Sequence, residues 1–182
     1  MRRSFGLKAT LLLSTGADDP RGTNQTLGGA SSRKQIGLDL AYADWRFVQG
    51  GNLVLGKQPY PVWRPYHSLF LDSDVNPEGG AVRFARGPWF ANAYGFWLSE
   101  QYNADPARDN SDAHIYGLQA GAKFAALGGE TVLGAGFYQC DSCKDESPLF
   151  GNNANGNTTY QVGGVNYLKY GYEILDLGAQ VG

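Results

Sequence analysis

Side-chain character alternates with a period of two over stretches long enough to fix the fold class before any motif is considered. Ile36, Leu38, Leu40 and Tyr42 occupy one set of alternate positions, and Gly37, Asp39, Ala41 and Ala43 occupy the other. Tyr116, Leu118, Ala120, Ala122 and Phe124 repeat the pattern against Gly117, Gln119, Gly121 and Lys123. Near the start, Phe5, Leu7, Ala9, Leu11 and Leu13 alternate with Gly6, Lys8, Thr10, Leu12 and Ser14. Successive side chains of a strand point to opposite faces, so each stretch has one greasy face and one that is largely polar or small. A helical period of apolar residues never holds for three turns, and the chain reads as all-β.

The alternation predicts strands over 4–15, 34–46, 52–58, 79–86, 89–102, 113–126, 131–140 and 171–182. Most reach the ~9–11 residues of a tilted membrane-spanning strand, whereas strands of globular domains have a mode of about 5–6. Connections alternate in length. They are long over 16–33, 59–78, 103–112 and 141–170, and short near 47–51, at Gly87-Pro88 and over 127–130. Outer-membrane barrels have that asymmetry, with tight turns at one rim and long loops at the other. Trp45 with Phe47, Trp89 with Phe90, and Phe124 gather beside the short turns, where an interfacial aromatic girdle belongs. The expectation is an antiparallel up-and-down transmembrane β-barrel, one domain over 1–182, with about eight strands forming part of a larger barrel. Eight strands closing a small barrel filled by side chains, and a soluble ligand-binding barrel with its apolar face inward, are the alternatives.

Composition removes other classes. Lys+Arg number 15 against Asp+Glu 17, a net charge of -2, so no electrostatic footprint for nucleic acid exists. Charged residues make up 18%, below the roughly 25% of soluble domains. Apolar runs such as Leu11 to Leu13 and Phe124 to Leu127 fall far short of the ~18 residues of a membrane helix. The stretch Met1 to Lys8 is basic but lacks the apolar core of a signal peptide.

By parity, Lys8, Thr10, Asp39, Arg83, Gln119, Lys123, Tyr138, Asp176 and Gln180 are expected to line a lumen. Leu40, Tyr42, Leu118 and Phe124 are expected to face lipid. The segment from Tyr60 to Asp74 is too apolar to stand in water, with Tyr60, Trp63, Tyr66, Leu69, Phe70 and Leu71 stiffened by Pro59, Pro61 and Pro65. It is expected to fold into or over a pore mouth as a constriction, Arg64 on one side and Asp72 and Asp74 on the other.

Three chemical motifs receive other readings. Asp72, Asp74 and Asn76 have the spacing of a calcium loop, but Pro77 and Arg83 stand where its glycine and glutamate belong, which favours a turn and no metal site. Ser111, Asp112 and His114 suggest a hydrolase, yet His114 shares the parity of Tyr116 and Leu118 and no nucleophile elbow is near, so no catalytic residue and no enzyme is expected. Cys140 and Cys143 lie at a strand end before a polar loop, where a disulfide clip is favoured over a redox motif or a zinc site.

Leu38-Asp39-Leu40-Ala41-Tyr42-Ala43-Asp44-Trp45, Leu55-Gly56-Lys57-Gln58-Pro59-Tyr60-Pro61 and Asp72-Ser73-Asp74-Val75-Asn76-Pro77-Glu78-Gly79 resemble the putative porin family of Gram-negative outer membranes. Tyr172-Glu173-Ile174-Leu175-Asp176-Leu177 is similar to a later strand of that family, and the resemblance covers about three quarters of the chain. It implies a channel in the bacterial outer membrane for small hydrophilic solutes or ions, with the lipid bilayer as partner, no cofactor, and an assembly of identical chains allowed. Family members are longer and carry a leader, so the resemblance also implies that the chain is an internal fragment. An anchor or adhesin with a plugged lumen is a further alternative.

Overall fold

The computed structural model describes residues 5–15, 35–65, 74–100, 112–126, 128–148 and 153–182. Eight long strands form one antiparallel sheet: β1 (Gly6–Ser14), β2 (Gly37–Val48), β3 (Gly51–Lys57), β4 (Glu78–Arg86), β5 (Trp89–Ser99), β6 (Ala113–Ala126), β7 (Gly129–Asp141) and β10 (Tyr172–Val181). Their order in the sheet is their order in sequence, with β1 and β10 at its two edges. The eight expected strands are all present, with ends shifted by a few residues. Among the described residues no helix is long and apolar enough to cross a membrane.

The connection over 141–170 was expected to be loop alone, but it holds a hairpin of β8 (Thr159–Val162) and β9 (Val165–Leu168). Gly163 and Gly164 sit at its tip with φ of 60° and 84°. Two positive-φ residues in succession are what a tight hairpin turn requires, which makes Gly-Gly between two apolar-polar runs a hairpin signal.

Paired residues in an antiparallel ladder share a face, so the register assigns each side chain to one side of the sheet. One face is covered by the segment that follows β3. It carries Ala81, Tyr94, Phe96, Ile115 and Tyr138 as a buried cluster, with Tyr60, Val62, Leu98 and Ile174 packed on it. The other face is open and apolar: Leu7, Leu11, Trp45, Leu55, Val82, Phe84, Leu118, Phe137, Leu175 and Leu177 are all exposed, Leu118 at 63% and Leu175 at 71%.

Leu118 and Phe124 lie on the open face, as the alternation indicates. Leu40 and Tyr42 do not, because the ladder slips between Leu12 and Leu13: Leu12 pairs with Leu40 but Leu13 pairs with Leu38. The extra residue, Asp39, is a bulge that exchanges the faces of the strand on its two sides. Tyr42 therefore pairs with Thr10 and shares the covered face with Asp44, which bonds Arg83 across β3. Phe90 was assigned to the aromatic girdle, but it turns to the covered face, its ring over Gly121. Of the aromatics expected beside the short turns, Trp45, Trp89 and Phe124 are exposed, and Phe84 joins them.

The β2–β3 turn depends on Gly50, whose φ is 82° and whose carbonyl accepts the Ala85 N–H at 2.7 Å. A Cβ there would stand 2.2 Å from the Ala85 carbonyl oxygen. Gly50→Val is expected to destabilise the assembled protein by about 1–3 kcal/mol or more, through positive φ in a β-branched residue plus the clash. Urea unfolding in detergent micelles, against Gln49→Val as control, measures the difference.

Candidate functional site: a segment laid on the covered face

The chain leaves β3 through Gln58, which turns it inward. Gln58 is 1% exposed; its N–H donates to the Pro77 carbonyl at 3.0 Å, and its side-chain amide reaches the Val54 and Gly79 carbonyls at 3.2 and 3.4 Å. Beyond it, Pro59, Pro61 and Pro65 restrict the backbone and remove N–H donors from a path that lies in no ladder. Here the segment crosses β4, β5 and β6 and ends over β7 and β10.

Tyr60 lands first. Its hydroxyl hydrogen-bonds the Tyr94 hydroxyl, and its ring sits edge-on to Tyr94 at 5.1 Å and beside Phe96 at 6.0 Å. Burial pushes the Tyr60 hydroxyl above the ordinary phenol range, while the Tyr94 hydrogen bond and the Arg64 guanidinium pull the other way. Tyr138, in the same cluster, donates to Asp176 Oδ2 at 3.1 Å.

Trp63 is held by backbone and by ring. Its N–H donates to Gln119 Oε1 at 2.8 Å and its carbonyl accepts from Gln119 Nε2 at 2.7 Å. Asn92 Nδ2 donates to the same Gln119 oxygen at 3.3 Å, fixing the amide's orientation. The indole lies over Gly134 and Gly178, where Cβ atoms would come 2.8 and 2.9 Å from its carbons, and 6.0 Å from the Phe90 ring. Gly121, Gly134 and Gly178 are direct neighbours in the register of β6, β7 and β10, a row cut low to receive Phe90 and Trp63.

A polar strip adjoins the segment on β1 to β4. Asp44 accepts from Arg83 Nη2 at 3.0 Å and from the Asn52 amide, and Lys8 is the register partner of Asp44. The Arg83–Asp44 pair is half exposed and contributes little stability, so its consequence is charge placement. Asp39 Oδ1 accepts from Asn76 Nδ2 at 2.9 Å, and Lys57 Nζ donates to the Asn76 carbonyl at 2.9 Å.

Of the residues expected to line a lumen, Lys8, Thr10, Arg83, Gln119, Lys123, Tyr138, Asp176 and Gln180 share the covered face by register, and Asp39 joins them through Asn76. Gln119 and Tyr138 do not meet solvent there, at 4% and 3% exposure. The segment roofs them, and their polar atoms serve Trp63 and Asp176 instead. Lys123 and Gln180 are register partners of the same residue, Val132, and lie exposed towards the short turns.

Tyr60, Trp63 and Arg64 are brought together on the covered face. Asp74 is exposed at the far end of the connection, and Asp72, with Tyr66, Leu69, Phe70 and Leu71, lies outside the described residues. His114 lies between the Trp97 and Tyr116 rings, 6.3 and 6.0 Å away, on the open face, and Ser111 is outside the described residues. Among the described residues no group of three His, Cys, Asp or Glu could hold a metal ion.

Cys140 and Cys143 are joined as a disulfide, buried with Ala113 and Leu168. Leu168 exchanges backbone hydrogen bonds of 2.8 Å with Asp145 and Glu146, so the clip and the β8–β9 hairpin form one structured extension.

Sequence reasoning missed Gln58, Asn92, Phe90 and the glycine row. Glycine at covered-face positions of three neighbouring strands was a legible signal, but it acquires meaning only once the register aligns it.

Comparison with known proteins gives the class. A family model described as putative porin matches residues 4–177, so the chain belongs to that family. No curated protein and no solved structure matches it.

Two outcomes follow. Gln119→Leu strands the Trp63 N–H and carbonyl in a buried place, a loss of about 1–3 kcal/mol per group; a double-mutant cycle with Asn92→Ala should show coupling between them. Maleimide labelling of the folded protein without reductant should leave both Cys140 and Cys143 unmodified, and quantitative reaction of both would show that the clip is open.

Proposed function

We propose that this sheet is the wall of a transmembrane β-barrel in the bacterial outer membrane, and that its lumen passes small hydrophilic solutes or ions passively, without cofactor and without enzymatic chemistry. The observation that carries the reading is the contrast between the two faces. Large apolar patches are rare on soluble monomers, and here the open face is apolar between its two rims. The family assignment supports the same reading.

Dimensions agree with a bilayer. On β6 the open face runs from His114 through Tyr116, Leu118, Ala120 and Ala122 to Phe124 without a charge. Those ten steps rise ~33 Å at about 3.3 Å per residue, or ~25 Å at a tilt of about 40°, the height of an outer-membrane apolar band. Charges on the open face of the other strands stand near the ends: Lys57, Glu78, Asp141 and, level with Tyr116, Glu173 by the long loops, and Arg86 by the short turn. Trp97 and Tyr116 face out near the first set, Trp89 and Phe124 near the second, the positions of two aromatic girdles.

Edges point the same way. Backbone groups left unpaired in hydrocarbon cost several kcal/mol each, so β1 and β10 would have to pair with each other or with further strands for the sheet to sit in a bilayer. In a closed barrel the covered face becomes the interior, and the segment Tyr60 to Pro65 narrows it. Lys8, Arg46 and Arg83 would line one side of the lumen, with Asp176 on another strand at the level of Arg83.

The test is planar-bilayer recording of detergent-purified protein, with expected discrete conductance steps. Detergent-dependent solubility with no conductance would favour the anchor, and monodispersity without detergent would favour the soluble barrel. Leu118→Arg should lower assembly into membranes by roughly 2–4 kcal/mol, falling towards the interfaces, while Gln180→Arg on the other face assembles normally. Equal assembly of the two would refute the facing.

A further inference from the structure

We infer that Trp63 is a latch: its indole, seated in the glycine row of Gly134 and Gly178, and its backbone, clamped by Gln119, hold the Tyr60–Pro65 segment against the wall and thereby fix the aperture of the lumen. The inference rests on the channel reading for its consequence, but the seat itself is built from contacts already described.

Three features separate a latch from ordinary loop packing. First, the seat is complementary to the ring. Gly178 and Gly134 face one another across the β10–β7 ladder, and the indole occupies the volume that two Cβ atoms would claim, at 2.8 and 2.9 Å. Pro65 Cδ closes the same depression, 3.3 Å from the Cβ position of Gly178. A wall designed only to be a strand would carry side chains there, because glycine weakens strands.

Second, the clamp imitates a β-bridge. Gln119 offers an acceptor and a donor from one side-chain amide to the N–H and carbonyl of a single residue, at 2.8 and 2.7 Å. A segment with prolines at 59, 61 and 65 has few donors with which to pair with the sheet. Trp63 is the point where its backbone is satisfied by the wall. Third, the latch lies distal to the turn at Gln58, about five residues along. Gln58 and Tyr60 secure the near end over β4 and β5; Trp63 secures the far end over β7 and β10. Releasing it frees the far end to swing into the lumen or out of it.

Two readouts test this on the membrane-assembled full-length protein, one of the seat and one of the channel. For the seat, Val62→Cys is introduced and its reaction with a membrane-impermeant maleimide is timed. Labelling should be slow with Trp63 present, at least tenfold faster with Trp63→Ala, and again slow with Trp63→Phe, whose ring refills the depression. Gly134→Ala and Gly178→Ala reach the same end from the wall, evicting the indole while improving strand propensity, so a fold defect in Trp63→Ala does not remove the test. Unchanged labelling at position 62 in Trp63→Ala and in both alanine variants would overturn the latch. For the channel, the latch variants should admit larger neutral sugars in liposome swelling than the unsubstituted protein does. Faster labelling with unchanged swelling would overturn the assignment of the aperture to Trp63, whereas faster labelling in a protein that never conducts would uphold the seat and refute the channel.

Discussion

A residue in a paired antiparallel strand has two destinations for its side chain, one on either side of the sheet, and the neighbour's register decides which. In this chain that constraint acts on eight strands at once. A shift of one residue anywhere would drive Leu118 or Leu175 under the segment and bring Gln119 or Asp176 to the apolar side. The register is therefore fixed by the difference in character between the faces. The segment after β3 then finds a surface of rings, hydroxyls and glycines prepared for it.

What was legible in the sequence and what was not divide along the same line. Long unbroken alternation, as in β6, gave both the strand and its facing, because its ladder with β7 runs without a shift from His114 to Ala126. β2 carries equally clear alternation, yet its facing reverses at Asp39, because a bulge opposite Leu12 and Leu13 is a property of the pair of strands and cannot be read from one of them. Phe90 shows the converse. Its proximity to Trp89 and a short turn suggests an interfacial ring, but adjacent residues face opposite ways, and only Trp89 has the outward parity.

The segment shows how far composition reaches. Its aromatic and proline content required that it pack on something, and it packs on the covered face of the sheet at Tyr60 and Trp63. Composition could not say that Gln119 and Tyr138 would be roofed, since burial of a wall position by a distant connection is a tertiary event. A polar residue on the covered face of a sheet has two uses, facing water or bonding a loop. Gln119 takes the second, with both halves of its amide committed and Asn92 orienting them.

The glycine row is where local propensity and tertiary demand conflict. Each glycine in a strand costs about 0.5–1 kcal/mol relative to alanine, so Gly121, Gly134 and Gly178 together weaken β6, β7 and β10 by roughly 1.5–3 kcal/mol on that scale. Burying large side chains such as those of Trp63 and Phe90 returns about 1.5–3 kcal/mol apiece, which offsets the loss only while both rings are seated. With the segment lifted, Phe90 stays on β5 over Gly121, but β7 and β10 keep the cost of Gly134 and Gly178 and lose the compensation that Trp63 supplies. The wall and the segment thus stabilise one another, and a row of residues that looks like a weakness in each strand taken alone is the feature that makes the seated arrangement the preferred one.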